Sequence, residues 1–86
     1  METAYVAQAE ALISSLADLA PLDRHAAFQA ESDRIAGQGT EHYMAGESEA
    51  HRDAQKAAAL LWRARDAAWR DYREARAMGN GSKSPE

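Results

Sequence analysis

The sequence predicts an all-α protein with a three-helix arrangement. Apolar residues recur every three or four positions along most of the chain, a spacing that gives a helix one apolar side. Of the 39 apolar residues among 86, 21 are alanine, so few large side chains remain for a core. A chain of this length holds one folded unit, which we place at residues 1–78, followed by a disordered tail at residues 79–86.

The N-terminal half is predicted to form a short helix hairpin. The first helix covers about residues 4–20, on the spacing of Tyr5, Ala9, Leu12, Leu16 and Leu19. Pro21 lacks an N–H group, so it closes this helix and opens a second one at its first position. The second helix covers about residues 21–36 and ends at Gly37, which starts an interior loop at residues 37–39.

A long C-terminal helix is predicted at about residues 41–78, with Thr40 as its N-cap. Without a break it would span roughly 57 Å, about twice the length of either earlier helix. Gly46 is a possible break, after which Ser48 could cap a restart.

Charge is distributed unevenly along the chain. Residues 1–51 carry two arginines against nine acids, whereas residues 52–76 carry six arginines and one lysine against four acids. This layout argues against a uniformly basic protein that coats nucleic acid. The chain has no cysteine, which leaves the redox compartment open. Glu2 and Glu10 stand where a secretory signal would be basic, and the longest apolar run is six residues. We therefore expect a soluble cytoplasmic protein that does not contact membranes.

One side of the long helix consists mostly of alanine and suits close helix packing. We call these residues the alanine seam: Ala57, Leu61, Ala64, Ala68 and Tyr72. The favoured interpretation is that the seam covers the first two helices. Because two short helices cannot shield a rod of twice their length, the remaining apolar surface predicts a homodimer that forms through the long helix.

A neighbouring flank of the same helix combines indoles with arginines, residue types that are enriched at binding hot spots. Its candidate partner-binding residues are Trp62, Arg65, Trp69, Tyr72, Arg73 and Arg76. The alternative interpretation is that both indoles fill the core that so many alanines leave incomplete.

A basic stripe lies opposite the seam: Arg52, Lys56, Arg63 and Arg70. Such a stripe is usually a solvated face, but it could contact phosphates or an acidic protein surface. Acids interleaved with the arginines weaken the case for nucleic acid, which is possible but not favoured.

No pattern in the sequence indicates catalysis, a cofactor or a metal. The residues three positions before His25, His42 and His51 are not glutamate, so the Glu-x-x-His motif of helical metal sites is absent. The sequence also has no phosphate-binding glycine loop, no Gly-x-Ser-x-Gly motif and no cysteine nucleophile.

Three hypotheses about function follow from these patterns. The first is a non-enzymatic helical interaction module that homodimerises through the long helix and binds a protein partner. The second is a small regulator or inhibitor, of the phage or mobile-element type, that acts on a nucleic-acid-handling complex through the acidic N-terminal half and the basic C-terminal helix. The third is a structural subunit of a larger assembly.

Overall fold

The structure is a computed structural model that describes residues 5–83, with side chains described for residues 5–78. Within that range the chain forms three helices: α1, Tyr5–Ser15; α2, Pro21–Met44; and α3, Ser48–Lys83. The predicted all-α three-helix fold is confirmed. The predicted start of the first helix at residue 4 lies outside the described residues.

Helix α1 is shorter at its C-terminal end than the sequence predicts. Residues 16–19 leave the helix in a turn, in which the Leu19 N–H donates to the Leu16 carbonyl. Ala20 is extended, with φ −58° and ψ 149°, because the ring of a following proline disfavours the helical conformation. The prediction that Pro21 opens the second helix is confirmed.

Helix α2 continues past the predicted end, so the predicted loop at residues 37–39 is wrong. Gly37 and Gly39 are both helical, and Gly39 is buried. The predicted cap at Thr40 is also wrong, because this residue lies inside α2 and its hydroxyl donates to the Ala36 carbonyl at 3.2 Å. Packing against α3 offsets the roughly 1 kcal/mol that each glycine costs inside a helix.

The break between α2 and α3 occurs at Gly46, the position that the sequence marks as a possible break. Gly46 has φ +80°, a left-handed conformation that glycine adopts without steric cost. The Gly46 N–H donates to the Tyr43 carbonyl and the Glu47 N–H to the His42 carbonyl, which closes the end of α2. Helix α3 then begins at Ser48.

The third helix ends at Lys83, five residues later than predicted. It therefore extends into the segment that the sequence predicts to be a disordered tail. Residues 84–86 lie outside the described part of the chain, and disorder of the tail stays a prediction.

Helices α2 and α3 form the hairpin of the fold, whereas α1 packs mainly on α3. This pairing differs from the predicted hairpin of the first two helices. The hairpin is antiparallel: Gly39 lies against Ala54, and the Arg65 guanidinium donates to the Gln29 side chain at 2.7 Å. At the far end the Arg24 guanidinium contacts the Asp71 carboxylate at 3.1 Å.

The register of this hairpin shows how far α2 covers α3. Pro21 lies three residues before Arg24, so the start of α2 is level with Glu74, three residues after Asp71. The last nine residues of α3, 75–83, thus extend about 14 Å beyond α2. All described side chains from Arg73 to Met78 are exposed. The unmatched length is therefore smaller than the sequence predicts, because α2 is longer.

We expect the two glycines of α2 to respond oppositely to alanine. A Cβ at Gly39 would lie 3.0 Å from the Ala54 Cβ, so Gly39→Ala should destabilise the fold by about 1–3 kcal/mol through overpacking. A Cβ at Gly37 meets nothing within 4 Å, so Gly37→Ala should stabilise it by roughly 0.5–1 kcal/mol. Urea unfolding followed by circular dichroism measures both. Shifts of the same sign would contradict the close approach of α2 and α3.

Candidate interaction surface

The α2–α3 hairpin has two faces, and α1 covers one of them. The Tyr5 backbone N–H donates to the Asp53 carboxylate of α3, and the Tyr5 hydroxyl lies 2.9 Å from His42 Nε2 of α2. The Arg34 guanidinium of α2 also reaches the Gln8 side chain of α1, at 3.4 Å. These contacts hold α1 along one side of the hairpin.

The opposite face of the hairpin remains uncovered by the three described helices. We call it the open face, and its main residues are Leu22, His25, Gln29 and Tyr43 of α2 with His51, Trp62, Arg65 and Trp69 of α3. The spacing of these positions places them on one side of each helix. Contacts between facing members connect the helices: the His25 and Trp69 rings are 5.6 Å apart, and the Tyr43 and His51 rings 5.1 Å apart.

The open face exposes much of the large apolar surface of the chain. Trp62 is 47% exposed and Trp69 43% exposed, and Leu22 is 44% exposed. At the turn end of the hairpin, Tyr43 is 68% exposed and the adjacent Met44 80% exposed. The interpretation that both indoles fill the core is therefore wrong. The core consists of other residues, among them Tyr5, Phe28, Ile35 and Leu61.

The other candidate partner-binding residues differ in exposure and in how many hydrogen bonds they already make within the chain. Arg65 bonds to Gln29 and to the Asp66 carboxylate at 3.0 Å, so part of its bonding capacity is used within the chain. Tyr72 is partly buried, stacks on Trp69 at 5.4 Å and accepts a hydrogen bond from Arg76 at 3.3 Å. Arg73 is exposed. The set thus forms a continuous surface from Trp62 to Arg76.

A shallow depression lies along the outer turns of α3. Its lining comes from this helix alone: Trp69, Arg70, Tyr72, Arg73, Glu74, Arg76 and Ala77. A depression bounded by a single helix offers a place for a side chain of a partner rather than an enclosed substrate site.

The alanine seam lies inside the single chain. Ala57 and Leu61 are fully buried in the core cluster, and Ala68 is 2% exposed. Ala64 packs against the same cluster and Tyr72 is partly buried. The assignment of the buried residues Ala57, Leu61 and Ala68 to a dimer contact is therefore wrong for the folded chain, because α1 and α2 already occupy this side of α3. A dimer contact at Tyr72 stays a prediction. The favoured interpretation, that the seam covers the other two helices, agrees with the structure.

The basic stripe is solvent-exposed. Arg52, Lys56, Arg63 and Arg70 are all exposed, and none of them forms an ion pair with another side chain between residues 5 and 78. Asp66, which the sequence places near Arg70, pairs instead with Arg65. These cations are available to an acidic or phosphate-bearing surface.

Sequence reasoning missed the part of the surface that α2 contributes. Tyr43 and Met44 fall inside the predicted third helix at residues 41–78, because the predicted second helix ends at residue 36 and the observed one at Met44. Residues 37–42 contain no apolar side chain, so no periodicity indicated that the helix continues to the turn.

The described residues show neither a metal-binding cluster nor a helix suited to cross a membrane. Between residues 5 and 78 no group of three or more histidine and acidic side chains could hold a metal ion. No described helix combines the length and the apolar character needed to cross a membrane. No protein-family model, curated protein or solved structure matches this chain.

We expect Leu61 and Trp62 to differ sharply as contributors to stability, although they are adjacent. Leu61→Ala should cost about 2–5 kcal/mol because it leaves a cavity in the core. Trp62→Ala should cost less, roughly 1–2 kcal/mol, because almost half of the side chain is already in water. Urea unfolding at about 1 µM limits any effect of self-association. A larger loss for Trp62→Ala would place this indole in the core instead of on the open face.

Proposed function

We propose that the protein is a non-enzymatic helical interaction module that binds a protein partner and a second copy of itself through α3. The observation that carries this proposal is the exposure of Trp62 and Trp69 on the open face, beside the exposed Arg73. Aromatic and arginine side chains supply much of the energy at protein interfaces, and large exposed apolar surfaces usually mark such sites.

The arrangement of α3 supports a role in binding rather than in folding for this flank. One side of the helix, which includes Leu61 and Ala68, is already buried by α1 and α2. The flank with Trp62 and Trp69 lies outside that core, and neither indole belongs to the core cluster. Burial of the exposed part of each indole would therefore contribute to association.

We expect the chain to self-associate as its concentration rises. Sedimentation velocity from about 1 to 100 µM should show the mass move from 9.4 kDa toward twice that value, since the population of a dimer follows mass action. Tryptophan emission should shift to shorter wavelength over the same range, because Trp62 and Trp69 are the only indoles and both leave water. A monomer at tens of micromolar, with emission typical of buried indoles throughout, would remove the support for this proposal.

A second candidate function rests on the exposed basic stripe. Arg63 and Arg70 have no ion-pair partner among the described side chains, while the turn end of the hairpin exposes Glu41, Glu47 and Glu49. A small regulator or inhibitor of a nucleic-acid-handling complex could use both groups, with the acids competing for a basic groove. Both contacts would be electrostatic and therefore weakened by salt.

Affinity purification from the native cell with two matched double variants separates the candidates. The interaction module predicts that Trp62→Ala with Trp69→Ala removes the protein partner, whereas Arg63→Ala with Arg70→Ala retains it. The regulator predicts the reverse, together with loss of the partner between about 0.05 and 0.5 M salt. A partner that both variants retain at high salt would contradict the two proposals alike.

A further inference from the structure

The open face has a concave strip along the seam between α2 and α3. The strip begins at the His51 ring and continues to the half-exposed indoles of Trp62 and Trp69. Between His51 and Trp62 the side chains at the seam are small, because Ala36 of α2 is level with Ala58 of α3 in the hairpin register. From His51 to Trp69 the strip is about 27 Å long. Small residues between larger rings leave room for a helix to lie there.

The open face becomes cationic where α3 extends past α2. Arg73 and Arg76 are exposed, and neither forms an ion pair with any side chain described at residues 5–78. Arg76 donates to the Tyr72 hydroxyl at 3.3 Å, and both arginines line the shallow depression of α3. Glu74 and Arg70 also line this depression, but they lie one helical turn apart, so their charges offset each other.

The carboxylates of the open face do not neutralise this end. Asp66 contacts the Arg65 guanidinium at 3.0 Å, and Asp33 accepts a hydrogen bond from the Gln29 side chain at 3.0 Å. By the hairpin register Asp33 lies about 18 Å from Arg73 along α3, which is farther than the ~10 Å over which salt screens exposed charges. The cationic end is therefore complementary to carboxylates that an occupant of the face supplies.

A second copy of the chain does not present such carboxylates on its own open face. Glu47 is bonded to His42, at 2.6 Å, on the side of the hairpin that α1 covers. Glu49 shares a side of α3 with Met78, away from the open face. The charge of the open face thus matches an acidic segment of a different protein better than it matches a second copy.

We propose that the open face binds an amphipathic, acidic helix of a partner protein. The apolar side of this helix lies along the concave strip, and its carboxylates meet Arg73 and Arg76. This deepens the proposed function, because it rests on the interaction module proposed there and specifies the chemistry of the partner. A helix of about 18 residues matches the length of the strip. Self-association competes with this partner, because both cover Trp62 and Trp69.

Three synthetic helical peptides of about 24 residues provide the probe. They share one leucine stripe and differ only in the flanking positions, which carry glutamate, glutamine or lysine. Titration of the tryptophan fluorescence of the full chain at about 1 µM, where self-association is limited, gives the three dissociation constants. The glutamate peptide should bind about tenfold tighter than the glutamine peptide, and the lysine peptide weakest, although the net charge of −4 on the chain opposes an acidic ligand.

Variants of the chain locate the two contributions. Arg73→Gln with Arg76→Gln should weaken binding of the glutamate peptide about fivefold and leave the glutamine peptide unchanged, because two surface ion pairs are lost. Arg52→Gln with Lys56→Gln is the matched control: it removes the same charge from the basic stripe, on another side of α3, and should change neither constant. Trp62→Ala should weaken both peptides about tenfold. Circular dichroism checks that each variant remains folded.

The outcomes distinguish this inference from the broader proposal. Equal binding of the three peptides, or no binding at about 100 µM, would overturn the acidic partner, while the interaction module still stands or falls by purification with the Trp62 and Trp69 variants. An equal loss in the Arg52 and Lys56 control would place the acidic peptide on the basic stripe and also overturn the inference. Tighter binding of single-stranded oligothymidylate through the same indoles would overturn it in favour of nucleic acid. A preference for glutamate that only the Arg73 and Arg76 changes remove would support it.

Discussion

The close approach of α2 and α3 is the constraint on which the rest of the structure depends. At Gly39 the two backbones are so near that a single added Cβ would lie 3.0 Å from Ala54. Small residues continue along this side of α3 at Ala57 and Ala68, both buried. Helices that pack through glycine and alanine leave no room between them for bulky side chains. The indoles of α3 therefore lie on the flank of the hairpin and not inside it.

The helical class, the start of α2 at Pro21 and the break at Gly46 could be predicted from the sequence, because each depends on local backbone chemistry. The end of α2 could not. A glycine can follow a helix or lie inside one, and for Gly39 the choice depends on Ala54, which is distant in the sequence and adjacent in space. The helix continues through this residue because its missing side chain allows α3 to approach.

The candidate surface was partly predictable for a similar reason. Helical periodicity assigns Trp62 and Trp69 to one flank and Leu61 to another, and the structure keeps that separation. Periodicity does not say which side meets the rest of the chain. That depended on the direction in which α2 runs along α3, which brings residues 22–37 of α2 level with the seam as far as Tyr72. The predicted dimer seam was therefore assigned to a side of α3 that is already occupied.

The side of α3 that folding buries is separate from the side proposed for association, and this separation follows from the small core. A chain with 18 apolar residues larger than alanine buries few of them completely, among them Ile35 and Leu61. Trp62 and Trp69 stay in contact with water, so a large part of the available apolar free energy is not gained by folding alone. Because these indoles contribute little to the core, they can serve a contact between chains without making that contact a condition of the fold. Substitutions on the two sides should therefore separate stability from binding.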